Sequence, residues 1–188
     1  MEPLHIAILE GTTRPQRQSL HAALLVEEVG KSLSGVEVRL VDPTMFTFPG
    51  DGNDPEGKDP KYTEITVWAD AFFIVTPEYN HSFPGSLKRM LDSELGNYVH
   101  KAVAFASVSS GRWGGIRATE ALVTAVREMG LVPTFTDVQF PNIAKIFDEQ
   151  GTLLDPIYRE LVGKSYTELI WMATTLKYGR ENVPSQFH

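Results

Sequence analysis

The stretch Thr76-Pro77-Glu78-Tyr79-Asn80-His81-Ser82, with Pro84-Gly85 just behind it, packs an acid, a phenol, an amide, an imidazole and two hydroxyls into one short segment. It follows the apolar run Ala71-Phe72-Phe73-Ile74-Val75, which reads as a strand buried on both faces of a parallel sheet. Pro77 has no donor hydrogen to continue a central strand and holds Thr76 extended, so the polar residues belong to the loop at the strand's end. Backbone amides from Glu78 to Asn80 suit the polar edge of a flat heterocycle, and Tyr79 suits stacking on it. The same residues also suit an ordinary turn, in which Asn80 and Ser82 satisfy local backbone groups. His81 has the type of a general acid, but a ring nitrogen bonded to nearby backbone is the commoner state, and no catalytic residue is assigned. Pro84 stands at the start of the next helix, with Ser82 placed to cap it.

A second group is Gly11-Thr12-Thr13-Arg14-Pro15-Gln16-Arg17-Gln18-Ser19, directly after the apolar segment Leu4-His5-Ile6-Ala7-Ile8-Leu9. It has the composition of a phosphate cradle. Hydroxyls on Thr12, Thr13 and Ser19 can donate to phosphate oxygens, and a following helix would present free amides and the positive end of its dipole. Arg14 and Arg17 add fork-shaped cations suited to phosphate. The competing reading is that Thr and Ser cap a helix while the arginines are solvated. A third group, Ser109-Ser110-Gly111-Arg112-Trp113-Gly114-Gly115 before Arg117, is glycine-rich and permits close backbone approach to a planar ligand. Trp113 suits packing on that ligand or closing the site at a subunit interface.

The elements that must position these groups follow from hydrophobic period. Strands are expected at 4–9, 36–41, 71–76, 102–107 and 131–136, and helices at 19–33, 60–69, 84–95, 118–129 and 156–178. In the fourth helix Ala118, Ala121, Leu122, Ala125, Val126 and Met129 form one apolar stripe that Gly130 terminates. Leu161, Leu169, Ala173 and Leu176 are expected on the inner side of the last helix. Residues 43–60, dense in Pro, Gly and Asp, read as a long surface loop, mobile rather than closing over a ligand. Strict alternation specifies an α/β domain with a doubly wound five-stranded parallel sheet, order 2-1-3-4-5, and helices on both faces. In such a sheet the three polar groups share the carboxyl edge, where ligands settle at the reversal of strand order between the first and third strands.

Composition narrows the chemistry. The 188 residues, 42% hydrophobic, suit one domain with a sizeable core. Without cysteine there are no disulfides, zinc-thiolate sites, Fe–S clusters or dithiol chemistry, so a redox function would need a borrowed cofactor. A net charge of -7 gives no footprint for nucleic acid or anionic membrane, and no segment has the length and apolarity of a membrane span. A cytoplasmic location is expected. Gly163-Lys164-Ser165 imitates the end of a P-loop, but Tyr158 occupies the position of the required glycine and the tripeptide falls in a helix, where a surface role is expected. No Gly-x-Gly-x-x-Gly follows the first strand, and the acids of 51–64 lack EF-hand spacing.

Taken together, these motifs resemble those of the NADPH-dependent FMN reductase family, which has a flavodoxin-like fold and includes quinone, azo-dye and chromate reductases. Gly11-Thr12-Thr13-Arg14-Pro15-Gln16-Arg17 resembles the family's Gly-Ser-Thr-Arg-Pro-Gly-Arg loop, Pro77-Glu78-Tyr79-Asn80 matches its Pro-Glu-Tyr-Asn loop, and Gly114-Gly115 with Arg117 resembles its Gly-Gly-x-Arg segment. The resemblance implies non-covalent FMN, its phosphate held by Thr13, Arg14, Arg17 and Ser19 and its isoalloxazine by Pro77, Glu78, Tyr79 and Asn80, with Ser109 and Gly111 nearby. It implies a homodimer or homotetramer with Glu78, Tyr79 and Arg117 near the interface, NADPH or NADH as donor, a quinone-like or other small acceptor, and ping-pong turnover. Gln16, where the family has glycine, adds a side chain beside the phosphate loop. An electron carrier with little NAD(P)H turnover is the alternative reading.

Overall fold

The computed structural model describes residues 2–187. Five strands, β1 (Leu4–Glu10), β2 (Val36–Val41), β3 (Ala71–Pro77), β4 (Ala102–Val108) and β5 (Val132–Phe140), form one sheet in the order β2-β1-β3-β4-β5, every pair parallel. Five helices connect or follow them: α1 (Ser19–Lys31), α2 (Pro60–Trp68), α3 (Gly85–Asp92), α4 (Ile116–Glu128) and α5 (Ile157–Asn182). This is the expected doubly wound, flavodoxin-like arrangement.

Period-two alternation divides the apolar residues of each strand between two cores. Ile6, Ile8, Phe73, Val75 and Phe140 pack against α1 and α5, with Val26, Tyr166 and Leu169. Ala7, Leu9, Phe72, Ile74 and Phe105 face α2, α3 and α4, with Leu87, Met90, Leu122 and Val126. Both faces are covered, which is why these strands read as unbroken apolar runs. The α4 stripe is buried at Ala118, Leu122, Val126 and Met129, and Gly130, in the left-handed region at φ 83°, follows it.

Several boundaries and placements differ from expectation. β5 runs on to Phe140, because a register irregularity opposite Val103 and Phe105 lets Asp137 to Phe140 pair with Phe105 to Val108. Ser82 does not cap α3; Pro84 precedes the helix with no side-chain cap, and Ser82 pairs through its backbone with Tyr79. On α5, Leu161 is exposed and Val162 takes the buried position. Ser165 of the P-loop look-alike is buried too, its hydroxyl 3.4 Å from the Thr136 carbonyl. The 43–60 segment is pinned: the Arg89 guanidinium donates to the carbonyls of Pro49, Gly52 and Gly57 at 2.9, 2.9 and 2.6 Å. Among the described residues no helix is long and apolar enough to cross a membrane.

Candidate functional site

All three polar groups emerge at the carboxyl edge. At the reversal of strand order, the Gly11 amide bonds the Val75 carbonyl at 2.8 Å, which draws the loop after β1 against β3. A Cβ at Gly11 would lie 2.9 Å from Thr76 Oγ1 and 3.0 Å from the Val75 carbonyl oxygen, so only glycine permits this approach. The chain then turns into α1. The N-cap of α1 is Gln18, and no side chain caps the helix. That excludes the reading in which Thr and Ser of the loop cap α1. The Ser19 hydroxyl instead donates to Glu10 Oε1 at 2.6 Å.

After β3, Tyr79-Asn80-His81-Ser82 closes as a tight turn: Tyr79 N to Ser82 O is 2.8 Å and Ser82 N to Tyr79 O is 3.0 Å. Asn80 and His81 both have positive φ, 50° and 67°, the conformation of a type I′ turn. Their side chains are exposed at its tip. The turn is held from two sides: the Glu78 amide bonds the Val108 carbonyl at 3.1 Å, and the Tyr79 and Thr12 hydroxyls lie 3.2 Å apart.

After β4, Ser109 Oγ donates to the Gly111 carbonyl at 2.8 Å, and the Ser107 hydroxyl donates to the Gly114 carbonyl at 2.8 Å. Gly115, φ 85°, is the N-cap of α4; a Cβ there would lie 2.9 Å from Ser107 Cβ and from the Val108 amide. The Arg117 guanidinium pairs with Glu78 Oε1 at 3.1 Å and joins the second loop to the third. Arg112 and Arg117 both lie over the Trp113 ring, which stays half-exposed.

Between these loops lies a cleft of about 400 Å³, within the range of small-molecule sites. Arg14, Gln16, Arg17, Ser19, Pro77, Glu78, Tyr79 and Ser109 line it, whereas Thr13, Asn80, His81, Gly111 and Trp113 do not. Residues 43–60 do not line it either. Sequence reasoning missed three contributors. Ile143 reaches the cleft from the segment after β5, held by its amide to the Ser109 carbonyl at 3.1 Å. Asp42, just past β2, pairs with the Arg17 guanidinium. Glu10, wholly buried at the last position of β1, accepts from Ser19 and from the Thr12 amide, and its Oε2 lies 3.0 Å from Arg17 Nε. A signal for Glu10 was present: a lone carboxylate ending the apolar run Ile6 to Leu9 beside a polar loop.

Burial pushes the Glu10 carboxyl above its ordinary value; the Ser19 and Thr12 hydrogen bonds and the Arg17 charge act in the opposite direction, and Asp42 adds a smaller upward push. Despite its proximity to Oε2, Arg17 Nε is a buried donor without a hydrogen-bond acceptor, and Glu78 Oε2 is a buried acceptor without a donor. An uncapped helix terminus, the Arg17 guanidinium and an exposed Arg14 meet on the cleft and give it positive character there. Pro77 and Tyr79 line the same cleft, the Tyr79 hydroxyl lying beside Thr12 of the first loop.

The profile of the family described as NADPH-dependent FMN reductase matches residues 4–144. The chain belongs to this family. An NAD(P)H-dependent FMN reductase of Pseudomonas aeruginosa is 29% identical over 82% of this chain and 88% of its own length. An NAD(P)H:quinone oxidoreductase of Solanum tuberosum is 32% identical over 74% of this chain and 75% of its own. Among solved structures, the flavoenzyme NAD(P)H:(acceptor) oxidoreductase of Paracoccus denitrificans superposes with a TM-score of 0.72 at 20% identity, over 91% of this chain and 98% of that one. The family's matched region takes in all three loops of the cleft and ends just past Ile143.

Proposed function

We propose that the protein holds FMN in this cleft and carries electrons from NADPH or NADH to a quinone-like or other small acceptor. The observation that carries the reading is the joining, in one cleft at the switch point, of the positive groups at the N-terminus of α1 with Pro77 and Tyr79. Relatives named for FMN and quinone reduction support it. FMN, when bound, supplies the hydride and electron chemistry. The chain's own residues position and screen: Arg14, Arg17, Ser19 and the α1 amides would hold the phosphate, and the backbone of 77–79 with Ser109 would hold the ring system. Glu78 Oε2 would accept from the ligand or from a partner subunit. No side chain is required as an acid or base, and no catalytic residue is named. Donor and acceptor in turn use one place, so ping-pong kinetics are expected. We include a homodimer or homotetramer in this reading, because Glu78, Arg117 and half-exposed Trp113 lie together at the surface beside the cleft.

The test is the visible spectrum of protein loaded with FMN, desalted, and mixed anaerobically with NADPH. Retained flavin that bleaches promptly is the expected result. Retained flavin that stays oxidised would assign the chain to electron carriage without NADPH turnover, and absence of retained flavin at saturation would overturn the cofactor assignment.

A further inference from the structure

Glu10 works against an anion at the start of α1. Its carboxylate is fully buried and draws on the groups a phosphate would need. Ser19 shows the conflict best. A hydroxyl has one proton to give, and here it is given to Glu10 Oε1 at 2.6 Å, so Ser19 faces the cleft as an acceptor. Two lone-pair faces would then meet when a phosphate oxygen arrives. The charged groups around Glu10 do not relieve this. Arg17, from its own loop, is shared with Asp42 from the end of β2; α1 contributes Ser19, β3 contributes apolar Val75 opposite Glu10 in register, and the loop after β3 contributes the Tyr79 phenol only through Thr12.

Protonation of Oε1 resolves the conflict with every heavy atom in place. The carboxylic O–H donates to Ser19 Oγ, and the Ser19 hydroxyl turns its proton to the cleft. Oε2 continues to accept from the Thr12 amide at 3.0 Å and to neighbour Arg17 Nε. We propose that Glu10 is a proton-coupled positioning residue: a phosphomonoester enters the cleft with uptake of one proton by Glu10, which converts Ser19 from a donor to the carboxylate into a donor to the ligand. Burial pushes the Glu10 carboxyl in the direction that favours this proton, and a second anion in the cleft would push it further the same way. The inference rests on the proposed FMN site and adds to it a dependence on pH that a plain anion seat lacks.

The test is titration with FMN, read by quenching of flavin fluorescence, from pH 7 to 8.5. In that range the ligand's own phosphate, with a second pKa of about 6, is already ionised. FMN affinity is expected to fall about tenfold per pH unit, the linkage slope of one proton. Riboflavin, which lacks the phosphate, should show no such slope. Glu10→Gln mimics the protonated acid, since its amide donates to Ser19 while its oxygen accepts from Thr12; it should flatten the profile and bind FMN at least about tenfold more tightly than the native chain at pH 8. A flat native profile, or a slope retained in Glu10→Gln, overturns the inference and leaves the FMN site standing. Should Glu10→Gln fail to fold by circular dichroism, calorimetry of FMN binding to the native chain in two buffers of different ionisation enthalpy decides. About one proton taken up at pH 7.5 is expected, and none overturns the coupling. No FMN binding at any pH overturns both the coupling and the proposed cofactor.

Discussion

Arg14 and Arg17 bring the same charge to one cleft but differ in what holds them. Arg17 is half-buried between Glu10 and Asp42, whereas Arg14 is exposed, its amide 3.3 Å from Thr12 Oγ1. Arg14→Ala is therefore expected to weaken FMN by about 1.5–3 kcal/mol, the value of a hydrogen bond to a charged group, or roughly 10- to 150-fold. Riboflavin affinity and the urea midpoint should stay unchanged. Arg17→Ala should weaken FMN and lower the urea midpoint as well, because Glu10 and Asp42 lose their shared cation. Equal stability of the two variants would show that the ion pairs around Arg17 contribute nothing to folding. Both arginines, Ser19 and the segment from Pro77 to Tyr79 are legible in the sequence, because their types and order are local. Their partners are not: Asp42 lies 25 positions beyond Arg17 and Arg117 lies 39 positions beyond Glu78.

At the scale of elements, the contrast between Arg89 and residues 43–60 is instructive. Composition alone describes a loop poor in apolar residues, and a mobile segment is the natural reading. One arginine on α3 reverses it by satisfying three carbonyls of the loop, with Phe48 beneath its guanidinium. Arg89→Ala should cost about 1.5–3 kcal/mol in urea unfolding and raise amide exchange across 47–58. FMN affinity should remain within about twofold of native, since this loop does not line the cleft. A large loss of FMN affinity would mean that the loop reaches the ligand after all. The glycines of the third loop behave in the opposite way. Gly115→Ala would force a Cβ into Ser107 and Val108 at φ 85°, moving the carbonyl that holds the Glu78 amide. It should weaken FMN binding as well as stability. Here the strand ends were foreseeable, but the extension of β5 to Phe140 was not, since it follows from an irregular pairing with β4.

Over the whole molecule, two carboxyls raised by loss of water, Asp137 and Glu10, set a pH dependence of stability. Burial, and after it the charge of Glu120, pushes Asp137 up to about 6, and its Oδ1 has no hydrogen-bond partner. Glu10 is raised in the same direction. A carboxyl whose folded pKa exceeds its unfolded value binds more protons in the native state. Its ionisation therefore removes stability as pH rises from the unfolded value near 4 to the folded one near 6 for Asp137, and stability levels off above that. Asp137→Asn should raise the urea midpoint at pH 7, by about 1 kcal/mol after solvent screening, and leave it nearly unchanged at pH 4. A gain of equal size at both values would point to a packing effect instead. By itself the sequence determined the alternation of strand and helix, and with it the sheet order and the edge shared by three polar loops. Those depend on hydrophobic period and on the handedness of parallel crossovers, which are properties of the chain read locally. Tertiary structure alone decided which groups neutralise one another, that Ile143 reaches the cleft and that 43–60 stays out of it. It also decided the direction of the Ser19 hydroxyl. That direction depends on a carboxylate nine residues away being carried into a dry interior, where its charge is costly and its nearest donors are the ones an anion would want.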